Sequence, residues 1–221
     1  MKVLVLDIGG SNVKMRVTGQ EERTKFPTGP DYSPKQLVSD LSKYAKGWEF
    51  DAVTVGFPAP IIAGTIPVEP KNLGTGWVDF DFEKSLGKPV KLINDAAMQA
   101  CGCYDGGRML FLSLGTGLGT ALISDYHVIA LELCELRWSK AATIEEQVGK
   151  AEMKRIGKSQ WEENVHTVVE MLRKALLPDS IAIGGGGAKY LKKLPKKARR
   201  GDNNMALDGG EAVWFEPRYR V

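Results

Sequence analysis

Residues 3–14 read VLVLDIGGSNVK. An apolar run from Val3 to Leu6 leads into Asp7, then Gly9, Gly10, Ser11, Asn12 and Lys14. Two readings are open. Asp before Gly favours turns, so a tight hairpin without further consequence accounts for the stretch. Alternatively the acid faces a cation and the bare amides of the glycines face an anion, since a residue without a side chain lets backbone N–H groups approach phosphate oxygens closely. Ser11 and Asn12 would lend donors to that anion. Lys14 joins them on the phosphate side, although taken alone it reads as a strand residue facing solvent.

The pattern of a strand running into glycines recurs. MLFLSLGTGLGTALIS (109–124) is strand, glycine loop, strand, and SIAIGGGG (180–187) is again a strand ending in glycines. Between these lie AVTVGF (52–57) and KPVKLIND (88–95), both strand-like, with AAMQACGCY (96–104) as a short helix and HVIALELC (127–134) as a further strand. SPKQLVSDLSKYAK (33–46) reads as a helix capped by Ser33, with Pro34 in its first turn and Leu37, Val38, Leu41, Tyr44 and Ala45 on one stripe. TIEEQVGKAEMKRIG (143–157) opens with a capping box of Thr143 and Glu146, and SQWEENVHTVVEMLRKALLP (159–178) with one of Ser159 and Glu162. The stretch from Pro58 to Gly87 reads as loops with short strands, and Ala188–Leu194 as a short helix. Open α/β folds bind ligands beyond strand ends. Three glycine-ended strands therefore point to one cleft assembled from distant segments.

Composition sets the broad class. The chain has 221 residues, 43% hydrophobic and 26% charged, which is ordinary for a globular protein. No apolar run approaches the roughly 20 residues of a membrane helix, and the first residues lack the pattern of a signal peptide. No membrane partner and a cytoplasmic location are expected. Cys101, Cys103 and Cys134 have no CxxC spacing and read as free thiols, not as a disulfide framework or zinc site. The net charge of +3 is uneven. Lys189, Lys192, Lys193, Lys196, Lys197, Arg199 and Arg200 form a cationic stretch without an acid; the remainder has 23 basic against 27 acidic residues. Such a stretch attracts polyanions, or is simply a solvated face. No nucleic-acid-binding motif stands beside it, so nucleic acid is not the expected partner.

DIGGSN (7–12) and LGTGLGT (114–120) together resemble the phosphate-1 and phosphate-2 motifs of the sugar kinase, Hsp70 and actin superfamily, and within it the ROK group with its polyphosphate and ATP glucokinases. VGFPAPI (55–61) and GTIPVEPKNLGTGW (64–77) resemble that group's sugar-side loops, LINDA (92–96) its catalytic motif, and IAIGGGGAKYLKKLP (181–195) its adenosine-side glycine motif. The five segments stand in the family's order and cover nearly the whole chain. The resemblance implies an α/β protein with the two-lobed ribonuclease H-like, actin-like ATPase fold. One lobe would cover about 1–106, the other about 107–221, with the last helix crossing back to the first.

It also implies a chemistry. A phosphoryl group would pass from ATP or polyphosphate to a hexose hydroxyl, most simply the 6-hydroxyl of glucose. Asp95 would be the base. Asn72, Asn94, Asp95, Glu132 and Glu135 would face the sugar; Gly9, Gly10, Ser11, Asn12, Lys14, Gly115, Thr116, Gly117, Gly185 and Gly186 the phosphates and nucleotide; and Asp7 would hold Mg²⁺ through water. Asn94 and Asp95 also read as helix caps, which is compatible with facing a cleft. One departure stands out. The family's Glu-x-Gly-His is here ELCEL (132–136), with Cys134 for the glycine and Glu135 for the histidine. A catalytically weak sensor that binds sugar or nucleotide is therefore the alternative. A DNA-binding repressor is not expected, because no helix-turn-helix precedes the first strand, and a homodimer is left open. His127 and His166 read as surface or structural residues and Trp161 as helix core. Trp77 reads either as a platform for a sugar ring or as loop packing.

Overall fold

The computed structural model describes residues 1–21, 23–202 and 204–221. They divide into two units: Met1–Gly102 with Ala206–Pro217, and Cys103–Met205 with Arg218–Val221.

The first unit is built on a sheet of β1 (Val3–Ile8), β2 (Asn12–Val17), β3 (Thr24–Pro27), β4 (Ala52–Phe57) and β5 (Val90–Asn94), in the order β3-β2-β1-β4-β5. β1 and β4, apolar except for Asp7 and Thr54, are buried along their whole length, as expected of strands covered on both faces. β2 alternates, with Val13, Met15 and Val17 inward. β1 pairs antiparallel with β2 and parallel with β4, and β4 pairs parallel with β5. β3 carries no strand signal of its own; it forms because its four residues complete the ladder along β2.

α1 (Pro34–Tyr44) starts at the expected cap: Ser33 and Gln36 form a reciprocal capping box, and Leu37 and Leu41 are buried. The stretch from Pro58 to Gly87 holds more order than loops with short strands. It contains one isolated bridge, Ile62 with Thr65, and α2 (Phe82–Leu86), capped by Asp81 and stopped by Gly87 in the left-handed region. Trp77 is fully buried among Phe57, Phe80 and Phe82, and its indole N–H donates to the Tyr32 carbonyl at 3.1 Å. Loop packing is thus the role of this ring. α3 (Asp95–Cys101) follows β5 directly.

The second unit carries β6 (Arg108–Leu114), β7 (Leu118–Ser124), β8 (His127–Leu131), β9 (Ser180–Gly184) and β10 (Ala198–Arg200), in the order β10-β9-β6-β7-β8. Counted along the chain, each sheet has the same order: third, second, first, fourth, fifth. Pairing is antiparallel in β6–β7–β8 and parallel in β6–β9–β10. The strand at 127–134 is shorter than expected, because Leu133–Glu135 winds into a 3-10 turn.

Three local expectations fail here for tertiary reasons. The helix from Thr143 breaks into α4 (Ile144–Val148) and α5 (Lys150–Ile156), because Gly149 is extended where a Cβ would lie 3.0 Å from the Thr116 and Glu145 carbonyls. α6 (Lys158–Leu176) is not capped by Ser159. It starts after Gly157, and Glu162 instead accepts the Lys193 N–H at 2.7 Å. The helix at Ala188–Leu194 shrinks to a 3-10 turn over Ala188–Tyr190, since Leu191 turns into the core. Trp161 is buried as expected, its indole bonded to the Val148 carbonyl. The cysteines are free thiols.

α7 (Met205–Phe215) belongs to the first unit from Ala206 onward. Its consecutive glycines, Gly209 and Gly210, let its backbone meet Met98 and Val5, where a Cβ would overlap. The buried Thr54 hydroxyl donates to the Gly210 carbonyl at 2.6 Å and accepts the Trp214 indole at 2.9 Å. Arg16 binds Asp208 at 2.6 Å and Glu211 at 2.9 Å. No helix among the described residues is long and apolar enough to cross a membrane.

Candidate functional site

In the first unit the residues singled out above gather at one end of the sheet. β1, β4 and β5 run parallel, with Asp7 level with Gly56 and Phe57 level with Asn94, so Asp7 and the Asn94–Asp95 pair stand at the C-terminal ends of β1 and β5, the two strands that flank β4. Asp7 is only 8% exposed. Lys14 sits directly across the β1–β2 ladder and donates to Asp7 Oδ2 at 2.9 Å.

The turn between them is tied from behind. Gly9 N–H donates to the Asn12 carbonyl at 3.0 Å, the Thr28 hydroxyl donates to the Gly9 carbonyl at 2.6 Å, and the Thr28 N–H donates to the Ser11 carbonyl at 3.1 Å. With the carbonyls so engaged, the N–H groups of Gly10 and Ser11 have no partner among the described residues. This leaves two amides available to an anion. Gly10 also has a packing reason to be glycine, because a Cβ there would lie 2.7 Å from Asn72 Cβ. The Gly9–Gly10 turn and the Asn72 loop are therefore in contact. Asn72 itself is exposed, and its loop is shaped by Glu69, whose carboxylate accepts the N–H groups of Gly76 at 2.8 Å and Trp77 at 3.1 Å.

Asn94 is a cap. Its Oδ1 accepts from the Ala96 and Ala97 N–H groups at 3.0 and 3.1 Å, and its Nδ2 donates to the Ala59 carbonyl at 3.3 Å. This joins the Pro58–Pro60 loop to the start of α3. Asp95, the first residue of α3, is half-buried and shares the Ala96 N–H at 2.8 Å.

The second unit repeats the device. Gly115 N–H donates to the Gly117 carbonyl at 3.0 Å, and Lys150 N–H donates to the Thr116 carbonyl at 3.2 Å. Gly117 lies against Glu145, whose Oε1 accepts the Leu118 N–H at 3.2 Å and leaves no room for a Cβ. The second glycine loop docks on the same strand end. Gly185 has φ +77° with its Cα against the Leu114 carbonyl, and Gly187 N–H donates to that carbonyl at 2.7 Å. Gly115 and Gly186 both face open space.

The turn after β8 is clamped by Thr120. Its hydroxyl, 1% exposed with its residue, donates to the Leu131 carbonyl at 2.6 Å and accepts the Leu133 N–H at 3.3 Å. Cys134 points into the core and donates to Glu132 Oε2 at 3.4 Å, and burial together with that carboxylate pushes its thiol up to about 12. Glu132 and Glu135 are exposed.

One end of each sheet thus carries these residues: Asp7, Gly9, Gly10, Ser11, Asn12, Lys14, Asn72, Asn94 and Asp95 in one unit, and Gly115, Thr116, Gly117, Gly185 and Gly186 in the other. His127 and His166 stand apart from these residues, against the Asp125 and Lys193 carbonyls. Sequence reasoning missed Thr28, Glu69, Thr120 and Glu145. Only Glu145 left a trace, as an acid in the first turn of a capped helix.

Comparison with known proteins follows the same lines. The family model described as "ROK family" matches residues 3–130. No curated protein matches the chain. Among solved structures, the inorganic polyphosphate/ATP-glucomannokinase of Arthrobacter sp. strain KM is 22% identical, with 99% of each chain covered and a TM-score of 0.81. A ROK family glucokinase from Streptomyces griseus, in complex with glucose and AMPPNP, is 15% identical over 95% of this chain and 98% of that one, with a TM-score of 0.80. A ROK family transcriptional regulator, homologous to the E. coli MLC protein, is 12% identical; 99% of this chain covers 78% of that one at a TM-score of 0.76. At these identities the likeness is one of fold.

Proposed function

The chain belongs to the ROK family and has the actin-like ATPase fold of its kinases, and from that premise we propose that it transfers a phosphoryl group from ATP or polyphosphate to a hexose hydroxyl, most simply glucose 6-OH. One observation carries the reading. Asp95, Asp7 and the Gly9–Gly10 turn stand at the same end of the sheet, at the C-terminal ends of β5 and β1 on either side of β4, with the Asn72 loop against the turn. A carboxylate base, a carboxylate for a hard cation and free amides for phosphate are the parts such a transfer needs, because it depends on positioning and charge stabilisation.

In this reading Asp95 accepts the proton of the attacking hydroxyl as its oxygen bonds to phosphorus. Asn94 acts mainly through position: by capping α3 and holding the Ala59 carbonyl it fixes the base relative to the Pro58–Pro60 loop. Asn72, Glu132 and Glu135 bind the sugar hydroxyls. Gly10 and Ser11 N–H groups, with Lys14, take phosphate oxygens in the first unit; the Gly115–Gly117 and Gly185–Gly187 loops take the donor in the second. Asp7 suits Mg²⁺. The site offers oxygen ligands, one buried carboxylate and no cluster of three ligating side chains among the described residues, and Mg²⁺ typically takes one or two carboxylates, waters and phosphate oxygens. When bound it would neutralise donor charge.

The test is an assay for ADP or shortened polyphosphate across a panel of hexoses. Asp95→Asn should lower transfer by about 10²–10⁴-fold, since the amide keeps the size but takes no proton. A variant that keeps more than about a tenth of the rate overturns the base assignment. No transfer to any hexose from either donor overturns the kinase reading. The replaced glycine and histidine, with Cys134 in the core and Glu135 exposed, favour the second reading of a sugar- or nucleotide-binding sensor. It predicts sugar binding by calorimetry without turnover. Glu135→Ala should weaken sugar binding and spare the donor; unchanged sugar affinity would place Glu135 outside the site.

A further inference from the structure

The fold handles the cations between Lys189 and Arg200 in two ways. Arg199 donates to the Cys103 carbonyl and lies 3.1 Å from Asp105, and Arg200 donates to the Leu191 carbonyl. Both guanidinium groups hold backbone in place. The five lysines, Lys189, Lys192, Lys193, Lys196 and Lys197, are exposed, and among the described residues none is paired with a carboxylate.

The backbone beneath them is not a free loop, nor is it a helix face. Leu191 and Pro195 are buried. Lys193 donates its N–H to Glu162 at 2.7 Å, and its carbonyl meets His166 Nε2 at 3.1 Å. Ala198 N–H returns to the Pro195 carbonyl at 3.0 Å. An ordered ribbon that holds five uncompensated ammonium groups accepts their mutual repulsion, which an anionic ligand would relieve.

The register gives the ribbon a direction. It leaves β9 at the glycine loop, where Gly187 is bonded to Leu114. It rejoins β9 at the opposite end, where the Lys197 carbonyl accepts the Ile181 N–H at 3.1 Å. Ile181 lies three residues before Gly184, the last residue of β9, so the ribbon runs roughly 10 Å away from the glycine loop. Tyr190 marks its beginning, with Lys158 4.4 Å and Lys189 5.1 Å from its ring centroid.

We propose that this ribbon binds the tail of a linear inorganic polyphosphate whose end is held at the glycine loops of the same unit. The proposal rests on the reading of those loops as the donor site. A triphosphate carries a short charge array that the loops can hold alone. A longer chain repeats its charge beyond them, and the ribbon continues in that direction. Lysine suits this ligand: it is a point charge on a flexible stem, and tracks a mobile phosphate chain without demanding the fixed bidentate geometry of arginine. The arginines of the segment are engaged in structure instead.

The experiment compares binding of medium-length polyphosphate and of ATP, by calorimetry without sugar, at low and high salt. It uses the wild type, a variant with Lys192, Lys193, Lys196 and Lys197 changed to Ala, and one with the same four changed to Arg. The alanine variant should lose about tenfold or more in polyphosphate affinity at low salt and little in ATP affinity, with the difference shrinking as salt screens exposed charge. The arginine variant should retain polyphosphate. Equal loss for both donors, no loss for either, or loss in the arginine variant overturns the proposal. So does a single-stranded oligonucleotide of equal charge that competes as well as polyphosphate, which would make the ribbon a nucleic-acid surface. A protein that binds polyphosphate on the ribbon yet transfers to no hexose fails the kinase reading alone.

Discussion

Lys14 faces Asp7 across the first hairpin, so the carboxylate proposed for the metal carries a counter-ion in the free protein. An ammonium 2.9 Å from one oxygen competes with a cation for the same charge. Lys14→Met should therefore raise the affinity of the donor-free protein for Mn²⁺, by several-fold, in a paramagnetic resonance or calorimetric titration. Asp7→Asn in the same background should abolish the gain. An unchanged affinity in Lys14→Met would show that the ion pair does not shield Asp7. Cys134 gives a second prediction at this scale. Its thiol is held protonated to about 12 in the fold, while in the unfolded chain it ionises at the usual value of about 8.5. Between those values the unfolded state binds fewer protons than the folded one, so stability should fall as pH rises. The fall should be shallower in Cys134→Ala, read from urea titrations at pH 8 and 10; identical slopes would mean that the thiol is not kept protonated.

At the scale of elements, the glycine loops separate conformation from contact. Gly185 needs the left-handed region and lies on the Leu114 carbonyl, whereas Gly186 has open space around it. Gly185→Ala should cost about 1–3 kcal/mol of stability from backbone strain, with further cost from the overlap. Gly186→Ala should melt near the wild type while weakening donor binding if its amide is approached by phosphate. Thermal melts with and without ATP check both. Equal destabilisation by the two variants would contradict the geometry. The elements themselves follow local pattern where local pattern suffices. Ser33 and Gln36 cap α1, and Thr143 and Glu146 cap α4, because all four side chains lie within one turn of the amides they serve. Ser159 is not a cap because the helix already begins at Lys158, after Gly157, which puts Ser159 inside its first turn; Glu162 is engaged by the Lys193 N–H, 31 residues away.

For the molecule as a whole, the two sheets share one strand order, yet no repeat is visible along the chain. What recurs is a set of pairings, and many apolar sequences satisfy the same ladder. α7 shows how far the chain returns, from the end of the second unit to a seat beside β4 and β5 in the first. Gly209→Ala would put a methyl group onto the Met98 carbonyl and Gly102 amide, so the helix must lift. The variant should lose about 1–3 kcal/mol, the usual cost of overpacking. It should also be cleaved by protease near residues 206–217 faster than the wild type. Unchanged stability and cleavage would mean that the close approach is not needed to seat α7.

By itself the sequence determined the predominantly apolar strands, the helix capped by Ser33, and the acid and glycines at strand ends, because each rests on residues adjacent in the chain. The order Asp7, Asn94–Asp95, Gly115, Gly185 was legible for the same reason. Only the tertiary structure decided that Thr28 holds the carbonyls of the first turn, that Asn72 requires Gly10 to be glycine, that Glu145 backs Gly117, and that Asn94 holds the Ala59 carbonyl. It also decided which cations of the last basic stretch hold backbone and which stay exposed. These are contacts between residues 9 to 96 positions apart. Such contacts depend on where the whole chain has already folded, and no periodicity or turn preference within a local window encodes them.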